Sequence, residues 1–180
     1  MIEPLSLKEA RKQLELPDSD DAHDVHLYRL IRMAREQWEH DTDSAVLTQS
    51  LTMYLDDFSG DCICLPKKPI QSVTTIKYYD STNAQQTLST NIYSLDAPSR
   101  KVWLAYQQQW PNTLGDRWDN VEVIYVAGYT SQRLVPAIAK QAMLLLVSYY
   151  FDANRGDNDR SNDLQAYERL AARFMRTSYP

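Results

Sequence analysis

Val121–Arg155, VEVIYVAGYTSQRLVPAIAKQAMLLLVSYYFDANR, changes its hydrophobic period from two to that of a helix across one short loop. Val121, Val123 and Tyr125 alternate with Glu122, Ile124 and Val126, the pattern of a strand buried on one face and partly covered on the other. Gly128 supplies a positive φ or a sharp turn. Pro136 stands where a first-turn residue tolerates a missing N–H. The helix that follows carries Ile138, Ala142, Leu145, Leu146, Tyr149 and Tyr150 and is apolar on nearly every face, so protein must cover it on several sides.

Working outward, the N-terminal side reads as helices. Ser6 with Glu9 forms a capping-box pattern ahead of Leu7, Ala10, Arg11 and Leu14, and Pro17 is expected to end that helix. A second helix is expected to start among Asp18–Asp21 and run toward Asp41, with Leu27, Leu30, Ile31, Ala34 and Trp38 as its apolar face. From Ala45 the period becomes two. Strands are expected around Leu47–Leu55, Cys62–Leu65, Val73–Tyr79, Gln85–Leu88, Tyr93–Asp96, Lys101–Leu104 and Val121–Val126, with a long polar loop over Gln107–Asp119. Beyond Asp152 a polar run to Asp163 is expected to be an exposed loop, followed by a last helix over Leu164–Met175.

The fold class is therefore α+β: a helical core of three to four helices with an inserted small antiparallel β-sheet of five to seven strands. The expected divisions are 1–45 for the N-terminal helices, 46–127 for the inserted β region, and 128–180 for the C-terminal helices. One substantial core fits 180 residues.

Composition removes several function classes. No run approaches the roughly 20 uncharged apolar residues of a membrane span, and the first residues, MIEPLSLKEA, lack a basic region followed by an apolar one, so no secretory signal is expected. The net charge is -5, and residues 1–49 alone hold six basic and eleven acidic side chains, which gives -5. Such a surface opposes the phosphate neutralisation on which nucleic-acid affinity depends. Cys62 and Cys64 read as a reduced pair, because a bridge at this spacing strains the strand. The three histidines, His23, His26 and His40, all fall in helical sequence away from the cysteines, which argues against zinc. Asp56, Asp57 and Asp61 around Gly60 lack the spacing and closing glutamate of a calcium loop, and hairpin turns favour aspartate for local reasons. No nucleophile elbow or phosphate-binding glycine loop is present, and no pair among Asp116, Asp119 and Glu122 is singled out for glycoside hydrolysis. The expectation is a protein without catalytic residues, metal or cofactor.

Two groups of residues remain. Trp103, Tyr106, Trp110 and Trp118 cluster in sequence around a proline-containing loop. They suit a contact with a neighbouring subunit or the cover of a sheet edge, since such side chains join large apolar area to a polar tip. The alternative is a carbohydrate- or ligand-binding module that stacks its ligand on Trp103, Trp110 and Trp118. Arg169, Arg173 and Arg176 share one face of the last helix, opposite Leu170 and Phe174. A solvated face is the plain reading.

Three blocks together resemble the head-tail connector (adaptor) family of tailed bacteriophages. One is the strand, AGY, loop and VPAIA helix start within Val121–Arg155. The second is LSLKEARKQLEL (5–16) with Asp20 and Asp21 and then LIRMAREQWEHDTDSAVLTQSLTMYLDDF (30–58), and the third is LPKKPIQSVTTIKYYDSTNAQQTLSTNIYSLD (65–96). The resemblance spans Leu5 to Phe151, and none of the blocks is catalytic. It implies a non-enzymatic virion subunit at the head-tail junction, made in the host cytoplasm, that assembles as a dodecameric ring between portal and tail. DNA would pass through its channel without sequence-specific binding. It implies further that the C-terminal segment, with Arg169, Arg173, Arg176 and Phe174, reaches the portal protein. The sheet and its aromatic loop would then face a neighbouring copy or the tail-side stopper or tail-completion protein.

Overall fold

A computed structural model describes residues 3–19, 21–115, 117–151 and 157–176, the side chains of residues 157–159 and 176 excepted. It divides into two compact units, Met1–Leu47 with Tyr129–Pro180, and Thr48–Gly128.

The first unit is helical. Helix α1 (Leu7–Gln13) is opened by a reciprocal box: Ser6 Oγ accepts from the Glu9 N–H at 3.2 Å, and Glu9 Oε2 accepts from the Ser6 N–H at 2.8 Å. It stops short of Pro17, because Glu15 already has a φ of 57° and lies outside helical space. Helix α2 (Asp24–Asp41) starts later than the acidic run suggests, and its N-cap, His23, makes no side-chain capping bond. Leu27, Leu30, Ile31, Ala34 and Trp38 are its buried face, the set that helical spacing selects. Helix α3 (Ala137–Phe151) begins directly after Pro136, whose carbonyl accepts from the N–H groups of Ala139 and Lys140 at 3.0 and 3.1 Å. Ala139, Ala142, Met143, Leu146, Val147 and Ser148 are buried, as a helix nearly free of charge requires. Helix α4 (Asp157–Arg176) starts well before Leu164. The polar run from Asp157 to Asp163, expected as loop, is its first two turns. Polar side chains suit a helix as well as a loop, and acidic residues favour a helix N-terminus, so nothing in the sequence DNDRSND forbids the helix.

Trp38 is the centre of this core, 1% exposed. Its ring lies 5.0 Å from that of Phe174 and 6.3 Å from that of Tyr167, both on α4. The Tyr167 hydroxyl donates to Asp41 Oδ2 at 2.6 Å, and Gln37 Nε2 donates to both oxygens of the same carboxylate at 2.9 and 2.8 Å. Burial, and then the neighbouring Asp41 carboxylate, push the Tyr167 phenol well above its ordinary range. A second polar knot ties the N-terminal segment down. Arg35 donates to Glu3 at 2.8 Å and to Glu39 at 3.0 Å, and Glu39 Oε1 accepts from the Val46 N–H at 2.8 Å. Buried charges of this kind persist because each has a partner.

The second unit is made of strands β1 (Gln49–Leu55), β2 (Cys62–Cys64), β3 (Ile70–Tyr79), β4 (Gln85–Thr87), β5 (Tyr93–Asp96), β6 (Lys101–Leu104) and β7 (Val121–Ala127). They form two antiparallel sheets, ordered β1-β7-β3-β4 and β2-β6-β5. The fold is thus α+β, and the division of the strands between two sheets is what local periodicity does not carry. Strand β7 lies between β1 and β3, and its Val121, Val123, Tyr125 and Ala127 are all 1% exposed or less. In the smaller sheet Ile63 and Val102 face inward, while Cys62 and Cys64 turn to the other face as free thiols, and burial followed by the neighbouring Cys64 raises the pKa of Cys62. Gly128 ends β7 at a φ of 108°, which L side chains rarely adopt, and its N–H donates to the Pro69 carbonyl at 2.8 Å.

Candidate interaction surfaces

In the helical unit, Arg169 and Arg173 are exposed on α4, while the side chain of Arg176 lies outside the described residues. Phe174 sits on the inner side of the same helix, 9% exposed, with its ring against Trp38. Among the described side chains of the set, the outward-facing ones are therefore Arg169 and Arg173. An exposed arginine presents a planar fork of donors that suits carboxylates on a partner surface.

The same unit shows apolar surface that the periodicity of α2 leaves outside its core face. Val25 is 68% exposed, Tyr28 55% and Met33 46%. The signal was present in the sequence as apolar residues off the Leu27–Trp38 stripe.

In the β unit the four aromatic residues do not converge on one platform. Trp103 stands on the outer face of β6, 39% exposed, with the Lys101 ammonium 5.1 Å from its ring centre. Tyr106, just past β6, is 89% exposed. Trp110 is spent on structure: its ring stacks on Phe58 at 4.9 Å with planes 3° apart, and its Nε1–H donates to the Gly60 carbonyl at 3.0 Å. Trp118 is 73% exposed and meets Tyr54 edge-on at 5.6 Å. Tyr54, from β1, completes this exposed pair, and only the distant pairing of β1 with β7 brings it there.

The long segment between β6 and β7 is held at several points. Thr113 Oγ1 donates to Asp57 Oδ1 at 2.7 Å and the Leu114 N–H to the Tyr79 carbonyl at 2.9 Å. The Arg117 guanidinium donates to both oxygens of Asp119 at 2.9 and 2.8 Å and lies 4.0 Å from the Tyr79 ring centre. Those bonds raise the arginine and lower the aspartate in pKa. Asn120, fully buried, donates through Nδ2 to the Asp56 carbonyl at 2.9 Å. A loop fixed this way presents Trp118 and Tyr106 without having to order them first, which lowers the entropic cost of a contact.

Asp80 heads the turn between β3 and β4. It accepts from Thr82 Oγ1, Gln86 Nε2 and the N–H groups of Ala84 and Thr82, which hold its carboxyl down at about 2. Among the described residues no group of three or more His, Cys, Asp or Glu side chains could hold a metal ion, and no helix is long and apolar enough to cross a membrane.

No protein-family model matches the chain, nor does any of the curated proteins compared with it. Solved structures do. A chain from the virion of a native gene transfer agent (GTA) particle superposes with a TM-score of 0.72 at 23% identity, covering 93% of this chain and 89% of that one. A chain from the neck of an empty GTA particle, computed with C6 symmetry, gives 0.71 at 22% identity over 93% of this chain and 89% of its own length. One from the neck of the native particle, computed with C12 symmetry, gives 0.65 at 22% identity over 91% and 86%. At these identities the likeness establishes a shared fold, and it extends over nearly the whole of each chain.

Proposed function

We propose that this chain is a structural head-tail connector (adaptor) subunit of a tailed phage or prophage-derived particle, forming a ring between portal and tail around the DNA channel. The observation that carries the reading is the likeness over almost its full length to chains of a particle neck, in a protein whose sequence independently resembles connectors. The ring holds twelve copies in this reading, in keeping with the C12 symmetry under which one of those necks was computed. Each copy meets two identical neighbours through different surfaces, the heterologous arrangement that closes when the rotation per subunit divides a full turn. Arg169 and Arg173 dock on an acidic surface of the portal protein, and Trp103, Tyr106 and Trp118 face a neighbouring copy or the tail-side protein. The subunit performs no chemistry and resides in the virion after assembly in the host cytoplasm.

The test is assembly with and without the chain. Particles made without it are expected to accumulate as filled or emptied heads separate from tails in negative stain, and charge reversal at Arg169 and Arg173 is expected to reproduce that defect while circular dichroism stays unchanged. Normal joining without the chain would refute the connector reading. Normal joining by the Arg169→Glu, Arg173→Glu variant would refute only the portal contact. A titration of tryptophan fluorescence with sugars that gave saturable quenching would favour the ligand-binding alternative.

A further inference from the structure

Edge strands are templates for further pairing, and proteins normally blunt them with charge, proline, bulges or brevity. Three of the four sheet edges in the β unit are blunted. Strand β4 is three residues long, and the part of β3 that β4 leaves uncovered is broken by register shifts between Ile70 and Ser72 and between Val73 and Thr75. Strand β2 is three residues long, and β5 is four and ends in Asp96. Strand β1, QSLTMYL, has none of these devices. It has seven residues, no charge, no proline and no glycine, and pairs with β7 in unbroken register. Among the described residues, none outside β7 bonds the backbone from Ser50 to Leu55.

Burial across the sheet points the same way. Along one row Ile76 and Val123 are 0% exposed, yet Met53, the next residue in the row, is only half-buried. Leu51 repeats this beside Tyr125, which is 1% exposed, and Leu55 beside Val121, at 0%. The apolar layer loses its cover at β1, where a further strand would continue it.

We propose that β1 pairs antiparallel with the β1 of a second copy of this chain, about a two-fold axis at Thr52. The sequence is self-complementary in that register. Leu51 falls opposite Met53 on the half-buried face, twice over by symmetry, and on the exposed face Ser50 falls opposite Tyr54 and Thr52 opposite Thr52. Residues directly opposite share a face of the sheet, so the central pairs set apolar against apolar and hydroxyl against hydroxyl, and only at the two ends of the ladder does Gln49 meet Leu55. The absence of charge along β1 matters for a copy as partner, because any charge would be repeated in the mate a few residues away across the ladder, and at Thr52 directly opposite. The pairing closes at two copies. It is a solution state distinct from a ring and independent of the connector reading. A seven-residue edge buries less than the roughly 1,200 Å² of a standard interface, the size class of weak and transient contacts.

Sedimentation of the full chain from low micromolar to several hundred micromolar tests this. A monomer-dimer equilibrium is expected, and Thr52→Lys, which sets two ammonium groups opposite each other at the axis, is expected to raise the dissociation constant by at least about tenfold. Register is read by oxidative cross-linking in a Cys62→Ser, Cys64→Ser background. Thr52→Cys is expected to join two copies, whereas Ser50→Cys is not, because the two Ser50 positions lie four residues apart along the ladder, about 13 Å, beyond the reach of a disulfide. A monomer at every concentration, a dimer indifferent to Thr52→Lys, or cross-linking at Ser50→Cys as efficient as at Thr52→Cys each overturns the proposal.

Discussion

Replacing Tyr167 by phenylalanine removes one oxygen from the helical core and tests how α4 is held. The ring remains against Trp38 and the cavity left is small, so the change isolates the 2.6 Å bond to Asp41. A buried hydrogen bond to a charged acceptor contributes about 1.5 to 3 kcal/mol net. Asp41 keeps its two bonds from Gln37, which places the expected loss near the lower end, about 2 kcal/mol. For a chain of this size that corresponds to a fall in melting temperature of roughly 4 to 8 °C. Urea unfolding followed at 222 nm measures the first quantity and calorimetry the second. The same bond sets an alkaline signature. The folded phenol titrates far above its ordinary pKa of 10.0, so the unfolded chain loses this proton first. Stability from Tyr167 is therefore complete below pH 10 and declines as the pH rises beyond it, and the phenylalanine variant lacks that part of the decline. A loss under about 0.5 kcal/mol with an unchanged alkaline limb would refute the reasoning and show that the rings alone dock α4.

Two further outcomes follow from the structure. Glu9 loses some stability of its charged form to burial, but bonds from Ser6 and Lys140 outweigh that and hold its pKa below the ordinary 4.5. Its contribution is complete above pH 4.5 and is lost as the pH falls through the lower folded value, so Glu9→Gln is expected to flatten the acid limb of a stability-pH curve, and an unchanged limb would contradict this. Trp110→Ala forfeits both the stacking on Phe58 and the bond to Gly60, with an expected cost of about 2 kcal/mol; a cost close to that of an exposed tryptophan such as Trp118 would show that the loop is not anchored there.

The helices were legible wherever a periodic apolar face met a local stop. The α2 set Leu27, Leu30, Ile31, Ala34 and Trp38 is buried as its spacing requires, and the alternation of β7 matches its burial residue by residue. Legibility failed where partners are far apart in the chain. Nothing in the local pattern of Lys101–Leu104 says that it joins β2 and β5 in place of β7. Trp110 and Trp118 look equivalent in sequence, yet one is stacked on Phe58 and the other exposed beside Tyr54, because Phe58 and Tyr54 arrive from a strand and turn more than fifty residues earlier. Polarity misled at Asp157–Asp163, where a polar helix start reads like a loop. Phe174 and Arg173 are sequence neighbours with opposite surroundings, which a helical wheel shows once the helix start is known.

The β unit leaves and rejoins the helical chain at one spot. Leu47 and Tyr129 form an isolated parallel bridge, and the Tyr129 N–H donates to the Val46 carbonyl at 3.3 Å. The two ends of the excursion from Thr48 to Gly128 therefore stand side by side, a strand spacing of about 5 Å apart. Such a graft point lets one module be lengthened, trimmed or exchanged during evolution while the host scaffold keeps its packing, so the two parts of this molecule can diverge at different rates.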